Sequence, residues 1–506
     1  MGLKIKKMKS TVIALMLACT LVGCQSTQAT TTEKAEEEVM TGGNEEVVTT
    51  STVSSSWDEN ATQIILDESS ASIEGDGASE NDGIITISSA GTYVISGTLK
   101  DGQIQIDAEK EDSVQIVLNN ADITCSDSAV IYAKKAKEVI LTVAAGTENV
   151  LTDAKTYVYE EETETDPDAA IFSKADLYIN GNGALTVNGN YNHAIVAKDA
   201  LYIDDASITI VAAQDGLNVN EELVITSGVL MLTVGDDAIH TDTTLTVNGG
   251  TITANECQEG LEGSGIEING GEITITSNDD GINAANSEET EVNHNITING
   301  GTVFVDSMGD GIDANGSITM TGGNVTVFGP TNDGNGSVDY DSTFDVSGGT
   351  LIIAGSSGMA QGISDSSTQN GLMVVFDQQQ EAGTTFEIVS AEGTSIASVT
   401  PVKTYQCVLV STDTLAQDTE YTVKSKGEEL TSVTLTQVMT SISEDGSEAQ
   451  IGMMGGGFGG PRGNMTGEAP ELPADGEMPE GGPQRGGPGG GMPPDIQQNS
   501  DTEATN

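Results

Sequence analysis

The chain has 506 residues, and its 78 Asp and Glu side chains against 18 Lys and Arg give a formal net charge of −60. This charge argues against nucleic acid as a partner, because phosphate binding needs clustered cationic side chains. A core of large aromatic rings is also excluded, since Phe, Trp and Tyr make up only 4% of the residues, whereas 61 glycines suit many short strands joined by tight corners.

The N-terminal segment has the features of a bacterial lipoprotein signal. Lysines at positions 4, 6, 7 and 9 precede a short apolar stretch over residues 11–20, which cannot span a bilayer. The tetrapeptide LVGC at residues 21–24 then resembles a lipobox. We therefore predict a signal peptide over residues 1–24 and a lipid on Cys24, which would anchor the protein on the extracellular face of the bacterial cell membrane.

Compositional bias marks two segments that we expect to be disordered. Residues 25–56 are rich in Thr, Ser and Glu and poor in apolar side chains, which is typical of a tether. Residues 441–506 contain long runs of Gly, Pro and Met and are predicted to form a disordered tail.

Cysteine use beyond Cys24 is sparse. Cys125, Cys257 and Cys407 are far apart in the sequence and form no C-x-x-C pair. Their number and spacing disfavour a zinc site and a disulfide framework. We expect them to be small apolar side chains in a packed interior.

Between the two biased ends the sequence repeats. Each unit opens with an acidic residue, continues into short runs of alternating apolar and polar residues, and contains an Asn-Gly-Gly or similar corner. The first three starts are 22 residues apart, the fourth follows after 21, and the fifth after 30, because residues 287–294 indicate an inserted loop. The starts are Asp215, Asp237, Glu259, Asp280 and Asp310.

The repeat predicts an all-β fold of stacked coils. A unit of this length has no room for a crossover helix and cannot bury its own apolar face, so successive units must stack. Coils stacked in register form a parallel β-helix with equivalent residues about 4.8 Å apart, whereas an antiparallel sandwich would not explain the fixed repeat. We predict a right-handed parallel β-helix over residues 57–366, followed over 367–440 by late coils or a small β-domain that caps the open end.

In-register stacking predicts two columns of polar side chains. The unit starts form the first column, with Asp236 and Asp279 beside it, and the residues three positions later form the second. The second column contains Asn218, His240, Glu262, Asn283 and Asp313.

Carboxylates stacked in this way repel one another. Like charges about 4 Å apart cost about 4 kcal/mol at an effective dielectric of about 20. A hard divalent cation offsets that repulsion, and Ca²⁺ takes roughly six to eight oxygen ligands. The alternative is that these are ordinary solvated corner residues without a bound ion. A transition-metal site is disfavoured, because His240 is a lone histidine in its column. We predict that Ca²⁺ is bound by Asp215, Asp236, Asp237, Glu259, Glu262, Asp279, Asp280, Asp310 and Asp313.

Several longer motifs carry a resemblance. The segments GTYVISGTL at 91–99, TENVLTD at 147–153 and AIFSKADLYING at 170–181, together with the Asp-Gly-Ile repeats, resemble a family of clostridial carbohydrate-binding β-helix proteins formerly classed as a domain of unknown function. The resemblance covers most of residues 60–440. It implies a pectate-lyase-like fold that carries calcium and binds cellulose-like and pectin-like polysaccharides.

The resemblance also assigns particular positions. The family's acidic coil starts correspond to Asp215, Asp237, Asp280 and Asp310. At the third unit a glutamate, Glu259, stands in place of the usual aspartate, and Asp237 is followed by alanine rather than glycine.

The sequence favours a binding protein over an enzyme. A polysaccharide lyase needs a base near the acidic sugar proton, typically Arg or Lys in this fold, and residues 199–402 contain neither. A hydrolase would use paired carboxylates, but on this scaffold it also carries His and Lys beside them. We expect no catalytic residues, with a lyase, a hydrolase and a stiff adhesin stalk as the alternatives.

Overall fold

The computed structural model describes residues 53–58, 60–159, 163, 165–285 and 293–449. The described residues from Ser55 onward belong to one structural unit. The predicted signal peptide, Cys24, the tether up to residue 52 and the tail from residue 450 lie outside the described residues. The described part of the chain offers no helical segment with the length and apolarity of a membrane span.

Every regular element in the described residues is a β-strand. The first are β1 (Thr62–Glu68), β2 (Ser70–Glu74), β3 (Ala78–Asn81), β4 (Ile84–Ile87), β5 (Gly91–Leu99), β6 (Gln103–Asp107) and β7 (Ser113–Thr124). The repeated coils contain β8 (Ile131–Lys135), β9 (Glu138–Val143), β10 (Glu148–Thr152), β11 (Ala169–Ser173), β12 (Asp176–Asn180), β13 (Ala184–Gly189), β14 (His193–Ala197), β15 (Leu201–Asp204), β16 (Ala206–Ala212), β17 (Leu217–Val219), β18 (Leu223–Ile225), β19 (Gly228–Val234), β20 (Ile239–Val247), β21 (Thr251–Cys257), β22 (Leu261–Ile268), β23 (Glu272–Ser277), β24 (Ile282–Ala284), β25 (Ile296–Ile298), β26 (Thr302–Ser307), β27 (Ile312–Ala314), β28 (Ile318–Met320), β29 (Asn324–Phe328), β30 (Asp339–Tyr340), β31 (Phe344–Val346) and β32 (Thr350–Gly355). The last are β33 (Gly371–Gln380), β34 (Phe386–Ser390), β35 (Ser395–Val399), β36 (Tyr405–Thr412), β37 (Glu420–Ser425), β38 (Glu428–Thr434) and β39 (Met439–Ser443).

The strands of the repeated coils form three parallel stacks within one large sheet. The first stack contains β8, β11, β14, β17, the first parts of β20 and β22, then β24, β27 and β30. The second contains β9, β12, β15, β18, the second parts of β20 and β22, then β25, β28 and β31. The third contains β10, β13, β16, β19, β21, β23, β26, β29 and β32. The chain visits the three stacks in turn, which is the arrangement of a solenoid and is consistent with a parallel β-helix.

Alternation along each strand decides which side chains face the interior. In the first stack Ile239, Leu261 and Ile282 pair in successive coils, and each is 0% exposed. Their neighbours His240 and Glu262 face outward, because successive side chains of a strand point to opposite faces. Similar aliphatic ladders line the other two stacks and build one continuous core.

Glycine is required at the repeated corner between the second and third stacks. The second glycine of the corner has a left-handed φ of 84° to 94° in five successive coils. A Cβ at Gly301 would also lie 2.9 Å from the main-chain oxygen of Gly271 in the coil before. The corner therefore needs both the conformational freedom and the small size of glycine.

Parallel stacking ends at β32. This strand pairs antiparallel with β36, and β36 pairs antiparallel with β33. Strands β34, β35, β37 and β38 form a separate antiparallel sheet, with its own apolar cluster around Phe376, Phe386 and Tyr405. This region is thus a small β-unit rather than further regular coils.

Two details of the predicted organisation can be compared with the strands. Strand β39 continues past residue 441, where we predicted the tail to begin, because it pairs in parallel with β33 from Gly371 to Val375. The predicted insertion at 287–294 lies mostly outside the described residues. The flanking strands β24 and β25 both pair in register with β22.

The cysteine prediction is confirmed. Cys125, Cys257 and Cys407 are free thiols buried in the interior. Burial raises the pKa of each thiol, to about 11 or 12, which keeps it protonated at neutral pH.

Candidate metal centre

The first polar column lies at the corner where each coil passes from the third stack to the first. Main-chain hydrogen bonds connect these corners in register, as where the N–H of Gly216 donates to the carbonyl of Asp237 over 2.9 Å. Equivalent bonds link the later coils. The unit starts therefore follow one another along the stack: Asp215, Asp237, Glu259, Asp280 and Asp310.

The second column lies on the outer face of the first stack. Asn218 pairs with His240, His240 with Glu262, and Glu262 with the next residue of the column in the following coil. The column ends with Asn283, Asp313 and Asp339. The two columns are close together because three residues along the strand separate their members in each coil.

Three clusters follow along the columns, and we name them lowest, middle and upper in chain order. The lowest cluster contains Asp215, Asp236 and Asp237, whose carboxylate oxygens lie within 4.8 Å of one another. Asp215 is buried and its Oδ2 lies 3.0 Å from Nδ1 of His193. Burial alone would raise the pKa of Asp215, but the contacts with His193 and Asn218 lower it below its usual range. Burial and the charge of Asp215 raise the pKa of Asp236.

The middle cluster contains a histidine as well as carboxylates. Atoms of Asp237, His240 and Glu262 lie within 4.8 Å of one another, and His240 Nδ1 hydrogen-bonds to Glu262. The other ring nitrogen lies 3.2 Å from Oδ1 of Asp242. Although burial lowers the pKa of His240, its bond to Glu262 and the surrounding carboxylates raise it to about 9. At neutral pH this cluster therefore carries its own cation.

The upper cluster contains Asp280, Asp310 and Asp313, again with oxygens within 4.8 Å of one another. The N–H of Asp310 donates to Oδ1 of Asp280 over 2.6 Å. Burial, followed by repulsion from Asp310, Asp280 and Asp339, raises the pKa of Asp313 to about 7, and burial raises that of Asp280 to about 6. Within the described residues no cationic side chain forms an ion pair with these three carboxylates.

A buried amide oxygen beside the upper cluster has no partner. Asn283 is 8% exposed and its Nδ2 donates to Oε2 of Glu259 over 2.9 Å, but its Oδ1 accepts no hydrogen bond in the described structure. Buried polar atoms without a partner are rare. Carboxylate and amide oxygens together are the donor set of a hard cation such as Ca²⁺, so the residues present fit that ion.

Two of the predicted ligands are not members of the three clusters. The carboxylate of Glu259 instead accepts a hydrogen bond from Asn283. Burial raises the pKa of the Glu259 carboxyl to about 7. Asp279 is exposed at the corner, where its main-chain carbonyl accepts the N–H of Gly309 over 3.0 Å. The remaining predicted ligands all belong to at least one cluster.

Sequence reasoning did not include several neighbours of these clusters. His193 and Asp168 extend the first column toward the N-terminus, since the N–H of His193 donates to the carbonyl of Asp168. Asp339 extends the second column beyond Asp313. His193 follows the regular spacing of 22 residues but is not acidic, whereas Asp168 and Asp339 lie 25 and 26 residues from their neighbours in the columns; the segments that begin at His193 and Asp168 match the repeat only weakly.

The structure also brings a lysine near the upper end of the columns. Nζ of Lys403 lies 2.7 Å from Oδ1 of Asp306 and also bonds to the main-chain oxygen of Ser307. Burial lowers the pKa of Lys403, against the opposing effect of Asp306. In the described structure Lys403 is thus ion-paired with Asp306.

Known proteins resemble large parts of the chain. A family model described as "Carbohydrate-binding domain-containing protein" matches residues 81–244 and 236–458. A carbohydrate-binding domain-containing protein of Acetivibrio thermocellus is 40% identical over 159 residues, which cover 31% of this chain and 55% of the relative. The chain thus spans about half the length of that curated relative.

A solved structure is also similar in sequence. It is described as the polysaccharide lyase-like protein from C. thermocellum, as a gadolinium derivative, and is 30% identical, covering 57% of this chain and 97% of that one with a TM-score of 0.39. The family model covers most of the chain that carries the stacked coils and the β-unit after them. The chain therefore belongs to the family of carbohydrate-binding domain-containing proteins.

Proposed function

We propose that the protein is a non-catalytic binder of plant-type polysaccharide, which holds acidic, pectin-like chains through Ca²⁺ and also binds cellulose-like chains. Family membership supports carbohydrate as the partner. The observation that carries the calcium proposal is the upper cluster, where three carboxylates that form no ion pair with another described residue lie beside the unsatisfied Oδ1 of Asn283.

Charge explains why acidic glycan would need the ion. A chain with a formal net charge of −60 repels uronate carboxylates, and the columns concentrate that charge. When bound, Ca²⁺ would supply positive charge and open coordination positions for a uronate oxygen. The protein's own part is to hold Asp280, Asp310 and Asp313 at the spacing set by the stacked coils.

Binding without turnover is favoured over elimination. Residues 199–402 contain no Lys or Arg, and the next lysine in the chain, Lys403, forms an ion pair with Asp306. β-Elimination requires a base that can reach the sugar proton. The described part of residues 199–402, which carries the columns from Asp215 onward, offers no lysine or arginine for that role.

We also propose the cellular setting and the complete architecture. A signal peptide over residues 1–24, a lipid on Cys24 and a tether would present the domain on the extracellular face of a bacterial membrane. The coils would form a right-handed, pectate-lyase-like β-helix, closed by the β-unit that contains Phe386. These proposals rest on the sequence patterns and on the order of the strands.

Retention on immobilised polygalacturonate tests the binding proposal. We expect retention in 1 mM Ca²⁺ and loss in excess EDTA, and we expect the variant D280N/D310N/D313N to lose retention in both buffers. A matched control removes three exposed carboxylates elsewhere, D365N/D377N/D413N, and should bind like the parent chain.

Two results would contradict the proposal. Equal retention in Ca²⁺ and in EDTA would show that binding to polygalacturonate does not need the ion. Release of unsaturated oligomers, which absorb in the ultraviolet, or of new reducing ends would establish an enzyme instead.

A further inference from the structure

A small pocket lies at a different corner of the coils from the acidic columns. It has a volume of about 130 Å³, several times the roughly 30 Å³ that one water molecule takes in the liquid. It opens where three successive coils pass from the second stack to the third, after β9, β12 and β15. The lining residues include Trp57, Thr142, Val143, Gly181, Asn182 and Asp205.

The pocket wall includes the only tryptophan of the chain. Trp57 is 40% exposed, so the residue is partly covered and partly faces solvent. Local contacts hold its segment: Gln115 Nε2 reaches the carbonyl of Ser56 at 3.5 Å, and the N–H of Asn60 donates to Oδ1 of Asp58 over 2.8 Å. Trp57 therefore offers an aromatic surface to the pocket from a segment that contacts the coils.

Polar groups without partners lie around this surface. Asn182 and Asp205 are exposed, and neither side chain makes a hydrogen bond to another described residue. The main-chain N–H of Asp205 donates to Oγ of Ser227 over 2.9 Å, which fixes the residue at a φ of 55°. An amide and a carboxylate can together donate and accept hydrogen bonds, as sugar hydroxyls require.

The floor of the pocket depends on a missing side chain. Gly181 has a φ of 89°, and a Cβ there would lie 2.4 Å from the main-chain oxygen of Val143. The glycine allows the coils to approach closely at this wall of the pocket.

Other aromatic surfaces are less available. Tyr178 stacks on Tyr202 with ring centroids 4.7 Å apart, and Tyr157 stacks on Tyr191 at 4.3 Å. In each pair one ring face is occupied by the partner ring. Trp57 forms no such stack with another described aromatic residue.

We propose that this pocket is a subsite for one neutral pyranose residue, with the apolar face of the sugar against Trp57 and its hydroxyls bonded to Asn182 and Asp205. A concave, partly apolar site with a few placed polar groups is the usual form of a small-ligand pocket. The one charged lining group is a carboxylate, which disfavours a uronate. The subsite rests on carbohydrate binding as proposed above but not on Ca²⁺, because the columns lie at another corner.

The single tryptophan provides the test. The full chain is titrated in EDTA with a neutral β-1,4-linked glucose tetrasaccharide while tryptophan fluorescence is recorded. We expect a saturable change in intensity or wavelength. The double variant N182A/D205A should weaken binding by roughly tenfold or more, whereas the exposed-carboxylate control D365N/D377N/D413N should bind like the parent.

Calorimetry extends the test to the tryptophan itself. W57A should lose binding of the tetrasaccharide and W57F should retain part of it, with unchanged circular dichroism as the check on folding. Equal affinity in W57A and the parent, no response to the neutral tetrasaccharide, or a response that requires Ca²⁺ would each overturn the subsite. Because polygalacturonate retention is measured separately, loss of this subsite and loss of the cation site are distinguishable.

Discussion

Asn283 and Asp313 illustrate how a residue of the outer face acquires a role from its neighbours in the stack. Each follows a buried isoleucine at the start of a strand, and the two are paired in register in successive coils. The amide is held by Glu259 while its oxygen stays unsatisfied, and the carboxyl is crowded by like charges. A cation at this point would satisfy both groups. Removal of the ion should therefore lower the free energy of unfolding measurably.

The raised carboxyl pKa values predict the pH dependence of the metal-free protein. Glu259 and Asp313 have a pKa of about 7, and Asp280 of about 6, above the roughly 4 of unfolded chains. The folded state therefore binds more protons, and stability in EDTA should fall as pH rises from about 5 to about 8. Thermal unfolding across this range measures the slope.

The isosteric variant D313N supplies the control for that prediction. It removes one of the repelling carboxylates, so its stability in EDTA at pH 8 should exceed that of the parent and change less with pH. An identical pH slope in the parent and D313N would show that Asp313 does not titrate as its surroundings indicate.

The raised pKa of His240 predicts a further loss of stability as pH rises, in the same direction as for the carboxyls but at higher pH. Its pKa of about 9 lies above the unfolded value near 6.5, so its stabilising contribution is complete below pH 6.5 and is lost as pH rises through 9. H240Q in EDTA at pH 7 should lose about 1–3 kcal/mol of unfolding free energy, as expected for breaking hydrogen bonds to charged groups.

A matched histidine and a direct titration check the role of His240. His294 contacts the main-chain oxygen of Ser264 rather than a carboxylate, so H294Q should cost less than H240Q. Nuclear magnetic resonance of the His240 ring would report its titration, and a midpoint at or below 6.5 would contradict the proposed ion pair with Glu262.

At the scale of the element, the corners define each coil as much as the strands do. The alternation of apolar and polar residues was sufficient to predict strands and to say which residues face inward. The Asn-Gly-Gly corners predicted where the strands stop. The structure adds that the second glycine of the corner has both a left-handed φ and a close main-chain neighbour in the coil before.

Two glycine substitutions separate conformational strain from crowding. Gly427 has a φ of 78° with no atom within 4 Å of an added Cβ, so G427A should cost about 1–2 kcal/mol from backbone strain alone. Gly301 has a similar φ of 85° but main-chain atoms at 2.9 Å, so G301A should cost more. Urea unfolding of both variants measures the difference, and equal costs would mean that the coils relax without penalty.

At the scale of the whole molecule, charge opposes the stacked fold. The formal net charge of −60 acts over the whole surface, and exposed charges are screened over about 10 Å at 0.1 M salt. Sodium chloride should therefore raise the unfolding temperature in EDTA gradually and without saturation at a defined stoichiometry.

Calcium should act differently from general screening. At the same ionic strength, Ca²⁺ at a hundred times its dissociation constant should add about 2.7 kcal/mol of stability per independent site. The variant D280N/D310N/D313N should keep the effect of sodium chloride and lose the part of the calcium effect that belongs to its cluster. A calcium effect no larger than that of sodium chloride at equal ionic strength would argue that the columns are solvated corner residues.

The sequence alone determined the repeat, the faces of the strands and the alignment of the unit starts, because these follow from local periodicity and from coils of nearly constant length. It could not determine that His240 neutralises Glu262, that Asn283 has a free oxygen, that Lys403 meets Asp306, or that Trp57 and Gly181 line one pocket. Those contacts join residues of different coils or of segments outside the repeat. Only the register of the stack, and the path of the chain around it, decides which of them meet.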